Sequence, residues 1–369
     1  MQEFRLERYL TSGVERLVKE ITEASDRFSP ERIFMVKYAL AVKKAGKRRE
    51  KAEKMGEHIP PFLIASITER CNLHCRGCYA RANHACGGQE DGGEMLRELT
   101  KKQWGNIFSQ AVDLGVSFIL LAGGEPLVRR DVLEEAARHE SIMFPVFTNG
   151  TLLDTECGEA FASGKNLIPI LSMEGGQETT DLRRGTGIYS HLVQLMEGLK
   201  EQKKIFGVSV TVTCRNLEEV MSNAFIQDIK ERGCRAVIFV EYVPVEKGTS
   251  ELAPGEEERC RMDETVQRLR KKYEDMIFIS FPGDEKASGG CLAAGRGFFH
   301  INARGGAEPC PFAPYSDTDL LHTSLRDALG SPLFQRLRTE GILEKDHKGG
   351  CVLFGQEQSV KNIWENKRR

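Results

Sequence analysis

Several things are missing from this 369-residue chain, and each absence removes a class of function. No apolar run is long enough to span a bilayer. The first residues, Met1-Gln2-Glu3-Phe4-Arg5, are too charged for a secretory signal. The expected compartment is therefore the cytoplasm. Net charge is nearly absent at −2, so neither nucleic acid nor a membrane is implied as a bulk partner. No internal repeat or low-complexity tract is present. Cysteine, by contrast, is plentiful, with eleven in all. In a reducing compartment a chain of this size keeps them as thiols and metal ligands rather than disulfides.

Three of the eleven, Cys71, Cys75 and Cys78, stand within eight positions, with three and then two residues between them. A loop this short wraps its thiolates around one metal centre unaided. Tetrahedral zinc asks for a fourth close ligand, and only His74, inside the loop, is on offer. A cubane iron–sulfur cluster takes three thiolates on three irons and leaves its fourth iron open, whereas ferredoxin runs supply four cysteines per cluster. On the loop alone, a zinc knuckle is the alternative. Cys86, Cys157, Cys214, Cys234 and Cys260 lack ligand-like spacing and read as free thiols.

Residues 1–60 form a helical preface. Leu6, Leu10, Val14, Leu17, Val18 and Ile21 recur at helical spacing, and a second pattern runs through Ile33, Val36, Leu40 and Ala41. The basic tract from Lys43 to Lys51 has no interleaved aromatics and reads as a solvated helix face. After Pro60-Pro61, residues 61–284 alternate apolar runs with amphipathic stretches. The runs are Phe62–Ile67, Ser117–Leu121, Met143–Phe147, Ile168–Met173, Phe206–Val212 and Ala236–Val243. Asp131 to Glu134 has the form of a capping box opening one of the intervening helices. Such alternation predicts parallel strands with crossover helices. Six units are too few for a closed eight-fold barrel of roughly 250 residues. The expectation is an α/β partial (β/α)6 barrel, with a doubly wound sheet as the other solution. In the fifth run, Val208, Val210 and Val212 alternate with Ser209, Thr211 and Thr213, which places the hydroxyls in a polar-walled lumen. Residues 285–369, rich in glycine and proline with short strand signals, read as a small α+β domain.

Cys-x3-Cys-x2-Cys directly after a strand resembles the signature of the radical S-adenosylmethionine (radical SAM) enzymes, whose fold is the partial barrel. The resemblance implies a [4Fe–4S] cluster on Cys71, Cys75 and Cys78, whose open iron is chelated by the methionine end of SAM. An electron from the reduced cluster then yields methionine and a 5′-deoxyadenosyl radical that abstracts a substrate hydrogen. Many members carry an aromatic residue just before the third cysteine, where this chain has Gly77, with Tyr79 just after. Barrel sites lie at the carboxyl ends of strands, and the motifs fall there. Gly123-Gly124-Glu125-Pro126 follows the second strand; its glycines allow close backbone approach to a ligand, and Glu125 can accept from an ammonium. In the family such a run contacts the methionine amino group. Asn149 follows the third strand, and Ser172 and Glu174, two apart, can both face the lumen where the ribose and carboxylate contacts sit. Arg184, with Arg183 as the alternative, matches an arginine on the SAM carboxylate. Glu241 and Tyr242 end the sixth strand, as adenine or substrate contacts or as plain rim residues.

Cys291, Gly305, Cys310 and Cys351 follow a Cys-x13-Gly-x4-Cys arrangement with a distant third cysteine. The glycine fits a hairpin that brings its flanking cysteines together. This resembles the Twitch domain, the shortened form of the SPASM domain, and implies one auxiliary [4Fe–4S] cluster. Its fourth position falls to His300, to Cys86, or to an open iron. The whole implies a radical SAM oxidoreductase or maturase, fed by a donor such as flavodoxin or ferredoxin. It would oxidise, cross-link or rearrange a peptide or a small cofactor precursor, the auxiliary cluster accepting an electron; no catalytic residue is singled out. The competing class is an iron–sulfur sensor or electron carrier without SAM chemistry.

Overall fold

The computed structural model describes residues 9, 13, 30–86, 97–153, 161, 164–343 and 350–366. Seven parallel strands form the barrel wall: β1 (Phe62–Ser66), β2 (Phe118–Ala122), β3 (Phe144–Thr148), β4 (Leu167–Ser172), β5 (Gly207–Val212), β6 (Ala236–Glu241) and β7 (Ile277–Phe281). Two further strands, β8 (His300–Ile301) and β9 (Ala307–Glu308), extend the same sheet. Its order is β7-β6-β5-β4-β3-β2-β1-β8-β9. β8 runs parallel to β1, and β9 returns antiparallel. The partial barrel is thus the observed solution, with two more parallel strands, β7 and β8, than the six-unit reading. β7 escaped that reading because Ile277-Phe278-Ile279 is a brief apolar run after a highly charged helix.

The described helices that matter to the site are α1 (Pro30–Lys54), α2 (Tyr79–Ala82), α3 (Lys101–Leu114), α4 (Arg130–Ala137), α5 (Gln177–Arg184), α6 (Ile188–Glu201), α7 (Asn223–Glu231), α8 (Glu256–Lys272) and α9 (Gly283–Ala287). α3 opens on a capping box between Thr100 and Gln103 and stops at Gly115, whose φ of 89° suits glycine. Asp131 does not cap α4, contrary to the sequence signal: the helix starts one residue earlier, and Asp131 instead pairs with Arg129 at 2.9 Å.

Strand alternation divides the sheet into two environments. Leu63, Ile119, Leu121, Val146, Val208, Val210 and Phe239 are sealed in the core. On the lumen side, the amino-terminal half is apolar rather than polar: Phe62, Phe118, Pro145, Ile168, Ile238 and Ile279 are among the residues lining a cavity of about 120 Å³. Polar side chains begin only higher up, where Ser172 stands opposite Ser209. α1 closes the bottom with Phe34, Met35, Tyr38 and Val42 against Met143, and the Tyr38 hydroxyl donates to the Ser117 carbonyl at 2.9 Å. The stripe expected to be buried, Ile33, Val36 and Leu40, is the exposed one, at 43%, 42% and 58%. Periodicity marked two apolar stripes on one helix, and the aromatic one buries more area. The basic tract lies on α1 and is largely solvated, although Arg48 and Arg49 donate to the Val112 and Gly115 carbonyls. Leu6, Leu10, Val14, Leu17, Val18, Ile21 and Cys157 lie outside the described residues.

Candidate functional site

Every strand end that carries a sequence-predicted residue opens on the same rim, because parallel strands all present their carboxyl ends together. The loop from Ile67 to Cys78 leaves β1 and is tied down by its neighbours. From the β2 loop, the N–H groups of Gly124 and Glu125 donate to the Thr68 and Arg70 carbonyls, both at 2.8 Å. From the β3 end, Asn149 donates to Asn72 at 2.9 Å, and Asn72 to Thr151 at 2.7 Å. From α5, Arg183 donates to the Arg76 carbonyl at 3.1 Å. These bonds tie the loop to the β2 and β3 ends and to α5.

This gives the glycines of Gly123-Gly124-Glu125-Pro126 a definite cause. A Cβ on Gly123 would lie 2.4 Å from the Thr68 carbonyl oxygen, and one on Gly124 would lie 2.1 Å from that of Arg70. They are needed for close approach of backbone, as expected, but the partner is the cysteine loop itself. Glu125 likewise turns inward. It is 1% exposed, and its carboxylate accepts from Leu127 N–H at 3.0 Å, Thr148 hydroxyl at 2.8 Å and Asn149 N–H at 2.8 Å. Burial pushes its pKa up to about 7 despite those donors. Three internal donors tie it between the β2 and β3 rims and occupy three of its roughly four acceptor positions.

At the β4 end, Glu174 is 1% exposed and held by both arginines, Arg183 at 3.1 Å and Arg184 through Nε at 2.9 Å. Arg184 also extends Nη1 to within 4.0 Å of the Cys75 sulfur. The two arginines differ in placement: Arg183 bonds the Arg76 carbonyl of the loop, and Arg184 extends toward the Cys75 sulfur. Tyr242 stands against Gly77, the position of that departure. Its ring lies over that glycine, so that a Cβ there would meet the Tyr242 hydroxyl at 2.8 Å, and the hydroxyl bonds Thr249 at 3.0 Å. An aromatic from the β6 end fills the room that a side chain at position 77 would take. Glu241 is a rim residue with a different task. It pairs with Arg259 at 2.7 Å and accepts from the Gly350 N–H, which anchors the segment that carries Cys351.

Gly305, at φ 96°, sits in the β8–β9 turn as the hairpin reading requires. Cys291, Cys310 and Cys351 come close enough for their charges to act on one another, and burial pushes each thiol up, Cys351 to about 12. The two residues offered as a fourth ligand stand elsewhere. His300 uses both ring nitrogens, on Ser66 and Glu308, each at 2.7 Å. Cys86 lies against Cys71, and that contact lowers the Cys71 thiol, with Arg81 and His74 adding to it. Cys86 is therefore part of the first thiol set's surroundings, a fact its spacing did not signal. Two residues that sequence reasoning missed complete the picture. Tyr79 packs at a tilt against Phe312, with ring centroids 4.9 Å apart, and feels the charge of both Cys78 and Cys310, so it stands between the two sets. Glu285, at the β7 end, is 6% exposed and faces Cys291. As one of two adjacent acids in Gly283-Asp284-Glu285-Lys286, it carried no motif.

Among the described residues, no three His, Cys, Asp or Glu side chains converge as one metal ion would require. A cubane takes each thiolate on a different iron and needs no such convergence. Three thiols on one arginine-flanked loop fit that cluster, and Cys291, Cys310 and Cys351, two buried and one half-buried, make a second set of three.

Residues 65–222 match the Radical SAM superfamily. The chain is 28% identical over 320 residues to an AdoMet-dependent heme synthase of Methanosarcina barkeri, covering 79% of this chain and 87% of that protein. It is also 28% identical over 221 residues to an Fe-coproporphyrin III synthase of the same organism, covering 58% of this chain. Of that relative's length the match spans about half, 53%. The crystal structure of Streptococcus suis SuiB bound to S-adenosylmethionine superposes with a TM-score of 0.65 at 18% identity, over 97% of this chain and 88% of that one.

Proposed function

We propose that this chain, whose residues 65–222 match the Radical SAM superfamily, is a radical SAM enzyme that oxidises an unactivated carbon of a cofactor precursor. Cys71, Cys75 and Cys78 hold the [4Fe–4S] cluster in this reading, and Cys291, Cys310 and Cys351 hold the auxiliary one. When bound and reduced, such a cluster would supply one-electron reductive cleavage of SAM and, through it, hydrogen abstraction from the substrate.

The chain's own residues bind and orient. Arg184 receives the SAM carboxylate on Nη1, the nitrogen that Glu174 leaves to face Cys75. Gly124 and Pro126 wall the amino group's side, while Glu125 holds the β2 and β3 ends in register from beneath. Asn149 and Ser172 offer polar groups toward the ribose. Tyr242, already over Gly77, supplies the aromatic face for adenine. The observation that carries the reading is the junction of Arg184, Glu174 and Cys75, which joins a cation for the SAM carboxylate to the cysteine loop. The match across 87% of a heme synthase supports a cofactor precursor as substrate. The setting is a reducing cytoplasm, with a flavodoxin or ferredoxin as electron source.

The test is anaerobic incubation with SAM and dithionite, with quantitation of 5′-deoxyadenosine. Formation of that product is expected, and its rate should rise with a propionate-bearing tetrapyrrole and not with unrelated peptides. A rise with peptide alone would transfer the substrate to the peptide class. Iron-replete protein that makes no 5′-deoxyadenosine would overturn the reading.

A further inference from the structure

The cysteine loop is fastened at its root as well as along its length, and the residue at the centre of that fastening is Glu98. It lies outside the described helices and strands, just before α3. One carboxylate oxygen accepts from both the Thr68 hydroxyl and the Glu69 N–H, each at 2.8 Å. The other accepts from Arg129 at 3.1 Å. Arg129 is 6% exposed and donates to fixed groups as well: the Ile67 carbonyl at 3.3 Å, the Leu99 carbonyl at 3.0 Å and the Asp131 carboxylate at 2.9 Å. With its cation held in this way, Glu98 presents its first oxygen to the loop at one place. Thr68, fully buried, passes the constraint on: its hydroxyl accepts from the N–H of Arg70, the residue before Cys71, at 3.1 Å. The same short stretch meets the β2 rim on its other side, where the Thr68 and Arg70 carbonyls accept from Gly124 and Glu125. The β8–β9 turn reaches the root too. The Leu99 N–H donates to the Ala303 carbonyl at 2.8 Å, and Arg304 pairs with Glu69 at 2.8 Å.

We propose that Glu98 is a positioning residue for the cysteine loop, an inference that rests on the reading of Cys71, Cys75 and Cys78 as ligands of the SAM-binding cluster. It acts through Thr68 and Glu69 and sets the register of the loop root against the Gly124 and Glu125 amides, on the rim where that reading places SAM. A carboxylate suits the task because one oxygen accepts two hydrogen bonds at once, here from consecutive residues. The effect falls on rate more than on metal content, since a displacement of about 1 Å in a reacting group costs up to about a hundredfold. A brace that served folding alone would change stability and leave the folded protein's response to SAM untouched.

The experiment compares full-length native, Glu98→Ala and Glu98→Gln proteins, first without metal and then reconstituted anaerobically with iron and sulfide. Without metal, hydrogen–deuterium exchange in Glu98→Ala should speed up about tenfold at the Glu69 amide, which loses its acceptor, while the β5 and β6 amides keep their native rates. Glu98→Gln keeps an acceptor oxygen and should restore most of the protection. Reconstituted Glu98→Ala should hold native iron, form 5′-deoxyadenosine roughly tenfold to a hundredfold more slowly, and show an altered SAM-induced shift in the reduced cluster's paramagnetic resonance. Native exchange at Glu69 in Glu98→Ala, or a native rate and resonance shift at native iron, would overturn the proposal. If Glu98→Ala fails to fold or to hold iron, Thr68→Val decides, because it removes only the hydroxyl that Glu98 binds. Faster exchange at Glu69 with a slowed, iron-replete enzyme then supports the proposal, and native values refute it. Native protein that holds iron but shows no SAM-induced shift would remove the cluster reading instead, while the metal-free exchange still judges Glu98, which separates the two failures.

Discussion

The two thiol sets are built in opposite ways. Cys71, Cys75 and Cys78 share one loop, whereas Cys291, Cys310 and Cys351 arrive from a turn, a hairpin and a helix start. The first set is partly exposed and flanked by Arg81, Arg183 and Arg184. The second is deeper and flanked by Glu241, Glu285 and Glu308. Basic flanks favour thiolate and attract the carboxylate of an incoming amino acid; acidic flanks in a buried place hold thiols protonated until metal displaces the proton.

The comparison breaks most sharply if one set is removed at a time. Cys71→Ala/Cys75→Ala/Cys78→Ala should abolish 5′-deoxyadenosine formation and halve the iron, from about eight to about four per chain. Zinc at the loop in native protein, with no charge-transfer absorption, would end the cluster reading there. Cys351→Ala should do the reverse. SAM cleavage without substrate should persist while substrate turnover is lost and iron falls. A Cys351→Ala variant with full iron and full turnover would show that the second set is only three buried thiols.

The remaining tests sharpen the comparison within the first set. Arg184→Ala removes a charged hydrogen-bond donor worth roughly 1.5–3 kcal/mol, so SAM affinity should drop by about one to two decades with iron content unchanged. Titration calorimetry on the reconstituted protein checks this. Tyr242→Ala should cost less, about 0.5–1.5 kcal/mol of ring contact, and Tyr242→Phe should restore most of the SAM affinity. Equal losses in the two variants would assign the role to the hydroxyl on Thr249 instead. The smallest effect concerns Glu125. With a folded pKa of about 7 against about 4.3 unfolded, the folded chain binds the extra proton between those values. Stability therefore falls as pH rises through that window, with a slope of at most about 1.4 kcal/mol per pH unit. Glu125→Gln should flatten it. Glu285 contributes a slope of the same sign in metal-free protein, so the readout is the difference in urea midpoints between the two proteins at pH 5 to 8.

Among the described residues no helix is long and apolar enough to cross a membrane, in line with the missing apolar run noted from sequence. What sequence alone determined here is what depends on neighbours along the chain. The cysteine loop was legible because three ligands within eight positions need no fold to bring them together. The parallel wall was legible because β-branched alternation and helical periodicity are local, and only one short strand, β7, slipped beneath that signal. Tertiary structure decided the rest, through crossovers that bring distant strand ends to one rim. Tyr242 lies on Gly77 across 165 positions, Arg184 at Cys75 across 109, and Cys86 against Cys71 by a return of the chain. It also decided which stripe of α1 is buried, since both stripes have helical spacing and only the packed areas differ. The placement of Glu285 is of the same kind: Asp284 and Glu285 are adjacent acids in the sequence, and only the fold puts Arg270 beside one and three thiols beside the other.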